Sequence, residues 1–545
     1  MTHMPLLSTF IVIVFVTCAQ LTAQTYTIIL GRPTDTSITM SIVFDANTDL
    51  VVKCGRSPTT LNVVQESAQA LAGKPVRLTL TGLQPNQRHY YELTYTKTKG
   101  GGSERSPVYT FHTQRAKGAP FTFLVEADEH LYDKKGIRSL FSICLDNQAK
   151  DSADFMLSLG DTFGDDHTPD LTTSQDMDDL HRDYLQYLGK VCHSMPFFFC
   201  LGNHEGETGY YLNQNAPNNI AVWGTLWRKY YYPNPYPDGF YTGNMVQEAH
   251  GIAYPENYYA FTWGDALFVV LDVYRHCDVN PKPQNWDWTL GETQYRWMRQ
   301  TLETSNAKYK FVFAHHTRGQ GRGGISTAKG AEWGGYTSNK GQYDFDRYRP
   351  GWGLPIHDVM VRTGVNIFFQ GHDHLYARDE LDGIVYQTVP MPSDSTYAIG
   401  MTDNGDAYSG VKMEGSGHLR VRIDDDSTSV EFVRAWLPKD TLGGTHRNGE
   451  VGDAYAVRQR LTGIDEVTPK DVIAIMPNPA AQILYIEMSD PDSEPTVRIT
   501  DMRGTVVHEG TSTTVDVSAL SRGAYVVDVR TATQRHCQQI ILGRE

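Results

Sequence analysis

Short apolar runs rich in β-branched and aromatic residues alternate with polar clusters through the middle of the chain. Five of these runs end next to Asp, Asn or His residues: 121–126, 155–159, 197–201, 309–313 and 366–370. Runs of this length and composition predict buried strands. Helical periodicity at 174–188 and 292–303 lies between them, so the middle region is predicted to be an α/β domain.

The polar clusters that follow these runs combine carboxylate, amide and imidazole groups. They are Asp128-x-His130, Gly160-Asp161, Gly202-Asn203-His204-Glu205, Ala314-His315-His316 and Gly371-His372-Asp373-His374. Five strands that all stop at metal-ligand types predict one metal site, built along one edge of a sheet. Residues i and i+2 of an extended segment point the same way, so each Asp-x-His or His-x-His pair could bind an ion from one side. Asp373 would then point away as a structural residue, and Glu205 is expected to orient a ligating histidine.

The types of donor atom restrict which metal ions the site could bind. Oxygen and imidazole ligands without thiolates suit iron, manganese or zinc. Asp161 has two oxygens and could bridge two ions, which in such sites lie about 3.5–4 Å apart and clamp a phosphoryl group. The chain carries a net charge of −15, which argues against nucleic-acid binding. An anionic substrate would be repelled by the acidic chain as a whole. Two bound cations would supply the local positive charge that attracts it.

Together and in this order, the five clusters resemble the calcineurin-like metallophosphoesterase family, whose pattern is D-x-H, G-D, G-N-H-(D/E), H and G-H-x-H. The resemblance implies two metal ions, divalent or of mixed valence, and a catalytic histidine, His204. Its implied ligands of the first ion are Asp128, His130, Asp161 and His374. Its implied ligands of the second ion are Asp161, Asn203, His315 and His372.

Two adjacent histidines compete for one ligand position. His315 is favoured over His316 because it directly follows the strand, although Thr317 stands where the family usually has Pro. His316, Arg318 and Arg322 are then candidates for contacts with substrate oxygens. A solvated basic loop is the alternative for these three residues.

Other motifs resemble purple acid phosphatases of plants and bacteria. They are a sandwich before the metal domain, a Trp288-Thr289-Leu290-Gly291 segment that leads to Gln294 and Trp297, and the closing Gly415-Ser416-Gly417-His418. The purple enzymes place an iron-binding Tyr three residues after the bridging Asp, where this chain has Gly164, and they generally lack the counterpart of His130. An Fe(III)–tyrosinate centre is therefore not expected. Asp165, Asp166 and His167 either reach a metal or form a polar loop.

The N-terminal region reads as an all-β sandwich. Its predicted strands are 25–30, 37–44, 50–54, 76–81, 89–95 and 108–112, with a weak helical period near 64–71. The Leu83-Gln84-Pro85 turn followed by Tyr90-Tyr91 resembles fibronectin type III domains, with a generic immunoglobulin-like sandwich as the alternative. We expect this domain to act as a support, because it holds no cluster of catalytic residue types.

The last 75 or so residues read as short alternating strands after a Pro-Asn-Pro segment. An Asp-x-x-Gly turn at Asp501 and a Leu-x-x-Gly-x-Tyr element that ends at Tyr525 follow. In this order the pieces resemble the C-terminal sorting domain of type IX secretion. The resemblance implies export through the periplasm and the outer membrane and removal of the domain. An ordinary adhesion-like sandwich is the alternative.

The first residues predict an export signal, because residues 6–16 are nearly all apolar and a small residue, Ala23, precedes Gln24. The apolar run is too short to span a bilayer comfortably, and no later transmembrane segment is expected. Six cysteines follow this signal. The nearest pair, Cys192 and Cys200, forms a disulfide or remains as isolated thiols.

The predicted architecture is multidomain. It comprises a signal peptide (1–23), a fibronectin type III-like all-β sandwich (24–115), a central α/β metallophosphoesterase sandwich of two mixed sheets flanked by helices (119–440), a closing segment (441–468) and a small all-β sorting domain (469–545). An aromatic insertion at 206–259 forms either a lid beside the metals or a self-packed loop.

Three functions stay open from the sequence. The first is a secreted or cell-surface phosphatase that hydrolyses small-molecule phosphate monoesters. The second is a phosphodiesterase that acts on nucleotides or lipid head groups, with aromatic residues stacking on the leaving group. The third is a non-catalytic surface binding or adhesion protein.

Overall fold

The computed structural model describes most of the chain. The described residues are 25–61, 63–132, 136–163, 168–279, 284–317, 322–337, 341–399, 405–459, 473–476, 480, 482–488, 494–531 and 535–543. They belong to two compact units, Met1–Arg460 and Leu461–Glu545. The predicted export signal and the candidates Arg318, Asp165, Asp166 and His167 lie outside the described residues.

The first unit begins with the predicted all-β sandwich. Its strands are β1 (Tyr26–Gly31), β2 (Ile38–Phe44), β3 (Thr48–Gly55), β4 (Val63–Ala70), β5 (Pro75–Leu80), β6 (Arg88–Lys97), β7 (Glu104–Arg105) and β8 (Tyr109–His112). They form one sheet in the order β1-β2-β5 and a second in the order β4-β3-β6-β7, with β8 on β6. The weak helical period near residues 64–71 does not give a helix, because residues 63–70 form β4, which pairs antiparallel with β3. Strand pairing decides such a short segment over its local preference.

The rest of the first unit is the predicted α/β domain. Its strands are β9 (Phe121–Glu126), β10 (Phe155–Ser158), β11 (Phe197–Phe199), β12 (Thr242–Gly243), β13 (Tyr259–Trp263), β14 (Ala266–Val270), β15 (Tyr309–Phe313), β16 (Ile367–Gln370), β17 (Tyr376–Leu381), β18 (Ile384–Thr388), β19 (Val411–Met413), β20 (Ser416–Ile423), β21 (Ser427–Ala435) and β22 (Val451–Arg458). Its helices are α1 (Arg138–Gln148), α2 (Ser174–Leu188), α3 (Gly209–Leu212), α4 (Ile220–Tyr231), α5 (Gly291–Thr304), α6 (Gly324–Ala328), α7 (Ala331–Gly334), α8 (Phe345–Tyr348) and α9 (Ile356–Arg362), with 3-10 turns at Gly405–Ala407 and Pro438–Thr441.

Two mixed sheets pack face to face in this domain. One has the order β11-β10-β9-β20-β21-β22 and the other β12-β13-β14-β15-β16-β18-β17-β19. Between them lies an aromatic core, in which Phe123 of the first sheet meets Phe268 of the second edge to face at 5.0 Å. The two-sheet architecture is confirmed. The narrower expectation of a single sheet edge was wrong, because β9 to β11 and β15 to β16 belong to different sheets.

The aromatic insertion packs into the fold. Its helix α4 lies against α2, where the Tyr231 hydroxyl donates to Asp178 Oδ1 (2.5 Å). Arg228 binds Glu207 through two nitrogens, both residues being buried. From the sandwich, Arg77 donates to the carbonyl of Tyr232 (3.1 Å). These contacts favour the self-packed loop over a lid and dock the sandwich on the α/β domain.

The second unit is a small all-β sandwich, as predicted. Its strands are β23 (Ile473–Met476), β24 (Ile483–Met488), β25 (Thr496–Asp501), β26 (Val506–Gly510), β27 (Thr514–Asp516), β28 (Gly523–Arg530) and β29 (Arg535–Leu542). The orders are β23-β24-β27 and β26-β25-β28-β29. Asp501 Oδ1 accepts from the backbone of Arg503 and Thr505 (2.9 Å each), which closes the predicted turn.

The cysteines of the described side chains are all free thiols and buried. Cys192 and Cys200 therefore do not form the disulfide that their spacing allowed. Within the described part of the chain, no helix combines the length and the apolar character needed to cross a membrane.

Candidate metal centre

The ends of strands from both sheets converge on one buried site. Asp128 follows β9 and Asp161 follows β10 in the first sheet, while His315 follows β15 in the second. His372 and His374 follow β16. Asp128, Asp161, His315 and His372 are buried, and the side chain of His374 is only 9% exposed, so the two sheets bring these ligand types together at one interior point.

One group of four side chains could hold a first ion. Asp128, His130, Asp161 and His374 each place a donor atom within 4.8 Å of the others. The Nε2 atoms of His130 and His374 are 3.0 Å apart, and His374 Nε2 lies 3.5 Å from Asp128 Oδ1. The predicted first ligand set therefore meets in space.

A second group shares one carboxylate with the first. Asp161, His315 and His372 also form a close set. His315 Nε2 lies 3.1 Å from Asp161 Oδ2 and 3.2 Å from His372 Nδ1. The same Asp161 Oδ2 is 3.7 Å from His130 Nε2, which places this oxygen between the two groups.

The donor atoms suit a pair of cations. Two ligands of one ion, each at about 2.1 Å and at a right angle, lie about 3.0 Å apart, close to the imidazole separations in both groups. Asp128 Oδ1, Asp161 Oδ2 and Asn203 Oδ1 are buried without a hydrogen-bond partner among the described residues. Buried oxygens of this kind are costly unless a donor or cation satisfies them.

The surrounding backbone orients the ligands. The backbone N–H of His372 donates to Asp128 Oδ2 (2.8 Å), and that of His204 donates to Asp161 Oδ1 (2.7 Å). Each carboxylate thus keeps its other oxygen for the cluster. The carbonyl of Leu159 lies 2.8 Å from His315 Nδ1, which leaves Nε2 of that ring as the ligand atom.

The charges in the site are strongly coupled. Burial and the neighbouring His374 lower the pKa of His130 to about 4, so this imidazole is neutral, as a ligand must be. Burial opposes protonation of His315, but Asp161 and Asp128 outweigh it and raise its pKa to about 9. Burial works against ionisation of Asp161, yet His315 and His204 hold its pKa well below the usual value. An ion that binds His315 must therefore displace a proton.

The paired ligands adopt an unusual backbone conformation. Asp128, His130, Asp161, His372 and His374 all have positive φ, between 43° and 69°. Such strain in residues other than Gly clusters at functional sites. The predicted pairs do meet, but the strand alternation used to argue it was the wrong reason, because these residues follow the strands in left-handed turns.

The loop after β11 brings a more exposed histidine to the cluster. His204 Nε2 lies 3.9 Å from Asp161 Oδ2, and its ring centroid is 4.9 Å from that of His130. Its side chain is 19% exposed, compared with 6% for His130 and 0% for His315. His204 is thus the histidine of this cluster that a substrate from solvent can meet most easily.

Glu205 has a different role from the one expected. It accepts the backbone N–H groups of Gly202 (2.6 Å), Asp161 (3.0 Å), Thr162 (2.7 Å) and Phe163 (3.1 Å). Glu205 therefore holds the loop of the shared carboxylate through backbone N–H groups, which is a role that the sequence did not predict.

The predicted substrate-contact residues His316 and Arg322 differ in their exposure to solvent. His316 is fully buried, with its ring 4.5 Å from that of His372, which disfavours a contact with a substrate arriving from solvent. Arg322 is about one-third exposed and binds Asp373 Oδ1 through Nη1 (3.2 Å). His316, His372 and Asp373 also lie close enough to suggest another ion, but Arg322 already places a positive charge on Asp373.

Tyr408 lies next to the site, but no pattern in the sequence predicts this position. The Tyr408 hydroxyl donates to Asp373 Oδ2 (2.5 Å) from a segment that belongs to none of the sequence motifs. No spacing rule connects Tyr408 to the histidine pair, and only the folded chain brings the two together.

The comparisons agree with the fold. The model of the calcineurin-like phosphoesterase family matches residues 121–376, and that of the secretion system C-terminal sorting domain matches residues 474–543. The chain is similar to a solved structure of PhoD (14% identity, TM-score 0.55, 80% of this chain and 90% of that one). It is also similar to purple acid phosphatase PPD1 from yellow lupin seeds (15% identity, TM-score 0.53, 80% and 74%). No curated protein matches the sequence.

The two family matches lie one in each unit, at the places where the sequence motifs lie. The sorting domain implies export by type IX secretion. The buried Asp/His cluster lies within the matched phosphoesterase region, at the ends of its strands. The chain is therefore a phosphoric ester hydrolase with a calcineurin-like phosphoesterase domain and a C-terminal sorting domain.

Proposed function

We propose that this protein is a secreted phosphatase that uses two metal ions to hydrolyse phosphate monoesters of small molecules. The observation that carries the proposal is Asp161 Oδ2, a buried carboxylate oxygen that lies between two groups of ligand atoms. A shared carboxylate is the hallmark of two-metal hydrolytic sites. The partly exposed His204 beside it completes the arrangement.

Seven side chains would hold the ions. They are Asp128, His130, Asp161, Asn203, His315, His372 and His374, and their donor set suits iron, manganese or zinc. When bound, the metals supply an acidified water as nucleophile and neutralise the charge of the phosphoryl group.

Side chains of the protein position the ligands and supply the proton for the leaving group. Glu205 keeps the shared carboxylate in position through four backbone N–H groups. His204 reaches the substrate from the exposed side and donates a proton to the leaving oxygen as a general acid.

A phosphodiesterase remains the second candidate because aromatic rings lie beside one ligand. The ring of Tyr274 is 5.9 Å from that of His315, and the partly exposed Trp288 packs on Tyr274 at 6.0 Å. Tyr274 is itself buried, so the partly exposed Trp288 is the ring that could stack on an aromatic leaving group. The non-catalytic binding protein is not retained, since the chain is a phosphoric ester hydrolase.

One assay separates these candidates. Purified protein with its metals quantified is given p-nitrophenyl phosphate and bis-p-nitrophenyl phosphate side by side. We expect faster turnover of the monoester with two ions per chain. Turnover of the diester alone would favour the phosphodiesterase, and no turnover with two bound ions would refute both.

The roles of two neighbouring residues can be separated in the same assay. Asn203→Ala is expected to lower occupancy of the second ion. His204→Ala is expected to keep two ions and to reduce kcat by roughly 100-fold or more, the usual size of a general-acid contribution. Unchanged turnover in the His204 variant would refute its assigned role.

The export route follows from the sorting domain. We propose that the protein passes through the periplasm and the outer membrane and loses the C-terminal unit at the cell surface. Mass spectrometry of the extracellular protein tests this, since the proposal requires a mature chain without the last strands.

A further inference from the structure

Arg322 is fixed at the edge of the metal site. Its Nη1 donates to the backbone carbonyl of His372 and to Asp373 Oδ1, the latter at 3.2 Å. The side chain of Arg322 is 36% exposed, whereas that of Asp373 is 0% exposed. Among the described residues both polar contacts use one nitrogen, so Nη2 and Nε remain for an incoming anion.

The carboxylate that holds Arg322 is itself held by a buried network. Asp373 Oδ2 accepts from the Tyr408 hydroxyl (2.5 Å) and from the backbone N–H of Gly323 (2.8 Å). Tyr408 in turn accepts from Gln370 Nε2 and from Thr388 Oγ1 (3.2 Å each). A carboxylate with this many donors has one orientation, and it therefore fixes the position of the guanidinium.

We propose that Arg322 is a specificity-determining residue for phosphate monoesters, and that Asp373 and Tyr408 are positioning residues that act through it. The inference rests on the proposed function. A monoester has three non-ester oxygens and two negative charges near neutral pH, whereas a diester has two such oxygens and one charge. A planar guanidinium held at the edge of the metal site therefore gains more from the monoester, because it binds the additional oxygen and charge.

Substitutions of Arg322 test the selectivity. Arg322→Ala is expected to lower kcat/KM for p-nitrophenyl phosphate by roughly 10- to 100-fold, the size of a hydrogen bond to a charged group. The loss on bis-p-nitrophenyl phosphate should be several times smaller, and inhibition by inorganic phosphate should weaken by about 10-fold or more. Arg322→Lys should recover part of the monoester activity, because it restores charge without the planar fork.

A matched control removes an arginine away from the site. Arg296 forms a surface pair with Glu292 (2.6 Å) and has no role in the cluster. Arg296→Ala should leave both activities unchanged, which excludes a general effect of lost positive charge. Equal losses on the two substrates, or no loss, in Arg322→Ala with two ions bound would overturn the proposal.

A double-mutant cycle tests the positioning role of Tyr408. Tyr408→Phe is expected to raise KM for the monoester by about 3- to 10-fold and to leave the metal content unchanged. In the Arg322→Ala background the same substitution should have no further effect. Additive losses would show that Tyr408 acts on the fold or the metals and not through Arg322.

The control on the parent protein separates this inference from the proposed function. If the metal-loaded wild type hydrolyses neither ester, the proposed function fails. If the wild type prefers the monoester and Arg322→Ala keeps that preference, only the present inference fails.

Discussion

At the scale of single residues, the two carboxylates of the site divide their oxygens between backbone and cluster. Asp128 and Asp161 each accept one backbone N–H and keep the second oxygen free of hydrogen bonds from the described residues. This arrangement fixes the rotamer of each carboxylate before an ion arrives. Metal affinity then depends on the residues that supply these N–H groups as well as on the ligands.

The adjacent histidines give the sharpest test at this scale. His315 Nε2 lies 3.1 Å from the shared oxygen of Asp161, whereas His316 packs behind His372. His315→Ala is therefore expected to leave about one ion per chain after dialysis and remetallation, measured by elemental mass spectrometry. His316→Ala is expected to keep two ions. The reverse result would exchange the roles of the two residues.

At the scale of elements, the sequence predicts the strands well and the turns poorly. The runs before Asp128 and His315 are buried on both faces, so composition alone identifies β9 and β15. The positive φ of His372 and His374 could not be predicted, because polar residues of this type favour extended backbone as readily. The link from Tyr408 to Arg322 depends on tertiary contacts that leave no periodic pattern in the chain.

One buried ion pair joins α1 to the sheet and makes stability depend on pH. Asp151, just after α1, accepts from His418 Nε2 (2.7 Å) and Arg420 Nη1 (2.5 Å) of β20. Burial acts to raise the pKa of Asp151, but His418 and Arg420 overcome it and hold this pKa below the usual value. Because the folded pKa is depressed, the stabilisation is complete above the unfolded pKa of about 3.9. It is lost as the pH falls through the folded value.

Asp151→Asn is therefore expected to lower the free energy of unfolding by about 2 kcal/mol at pH 7, and by progressively less below about pH 4. Urea unfolding followed by tryptophan fluorescence measures the first unit alone, since every Trp precedes residue 460. Asp146→Asn is the matched control, because it removes only a surface contact with Lys190 (2.7 Å). A difference between Asp151→Asn and wild type that persists unchanged at pH 3 would contradict this account.

At the scale of the whole molecule, all residues of the metal site belong to the first unit. The last strand of that unit, β22, pairs with β21 and is tied to the segment after His374. The Tyr376 hydroxyl donates to Asp453 Oδ2 (2.7 Å), and Asn366 Nδ2 donates to the carbonyl of Arg458 (3.1 Å). Residues near the end of the first unit thus support the strands on either side of His372 and His374.

Two truncations test whether β22, but not the sorting domain, supports the metal site. A chain that ends at Arg460 lacks the sorting domain but retains β22, so it is expected to keep two ions and kcat/KM within about 2-fold of wild type. A chain that ends at Glu450 also loses β22, which exposes the edge of β21 and frees Tyr376. Its melting temperature is expected to fall on the order of 10 °C, and its ions should dissociate faster on dialysis, because the strand beside His374 loses its support. Loss of activity in the first truncation would place a functional part of the site beyond Arg460, whereas full activity and stability in the second would show that β22 does not support the metal centre.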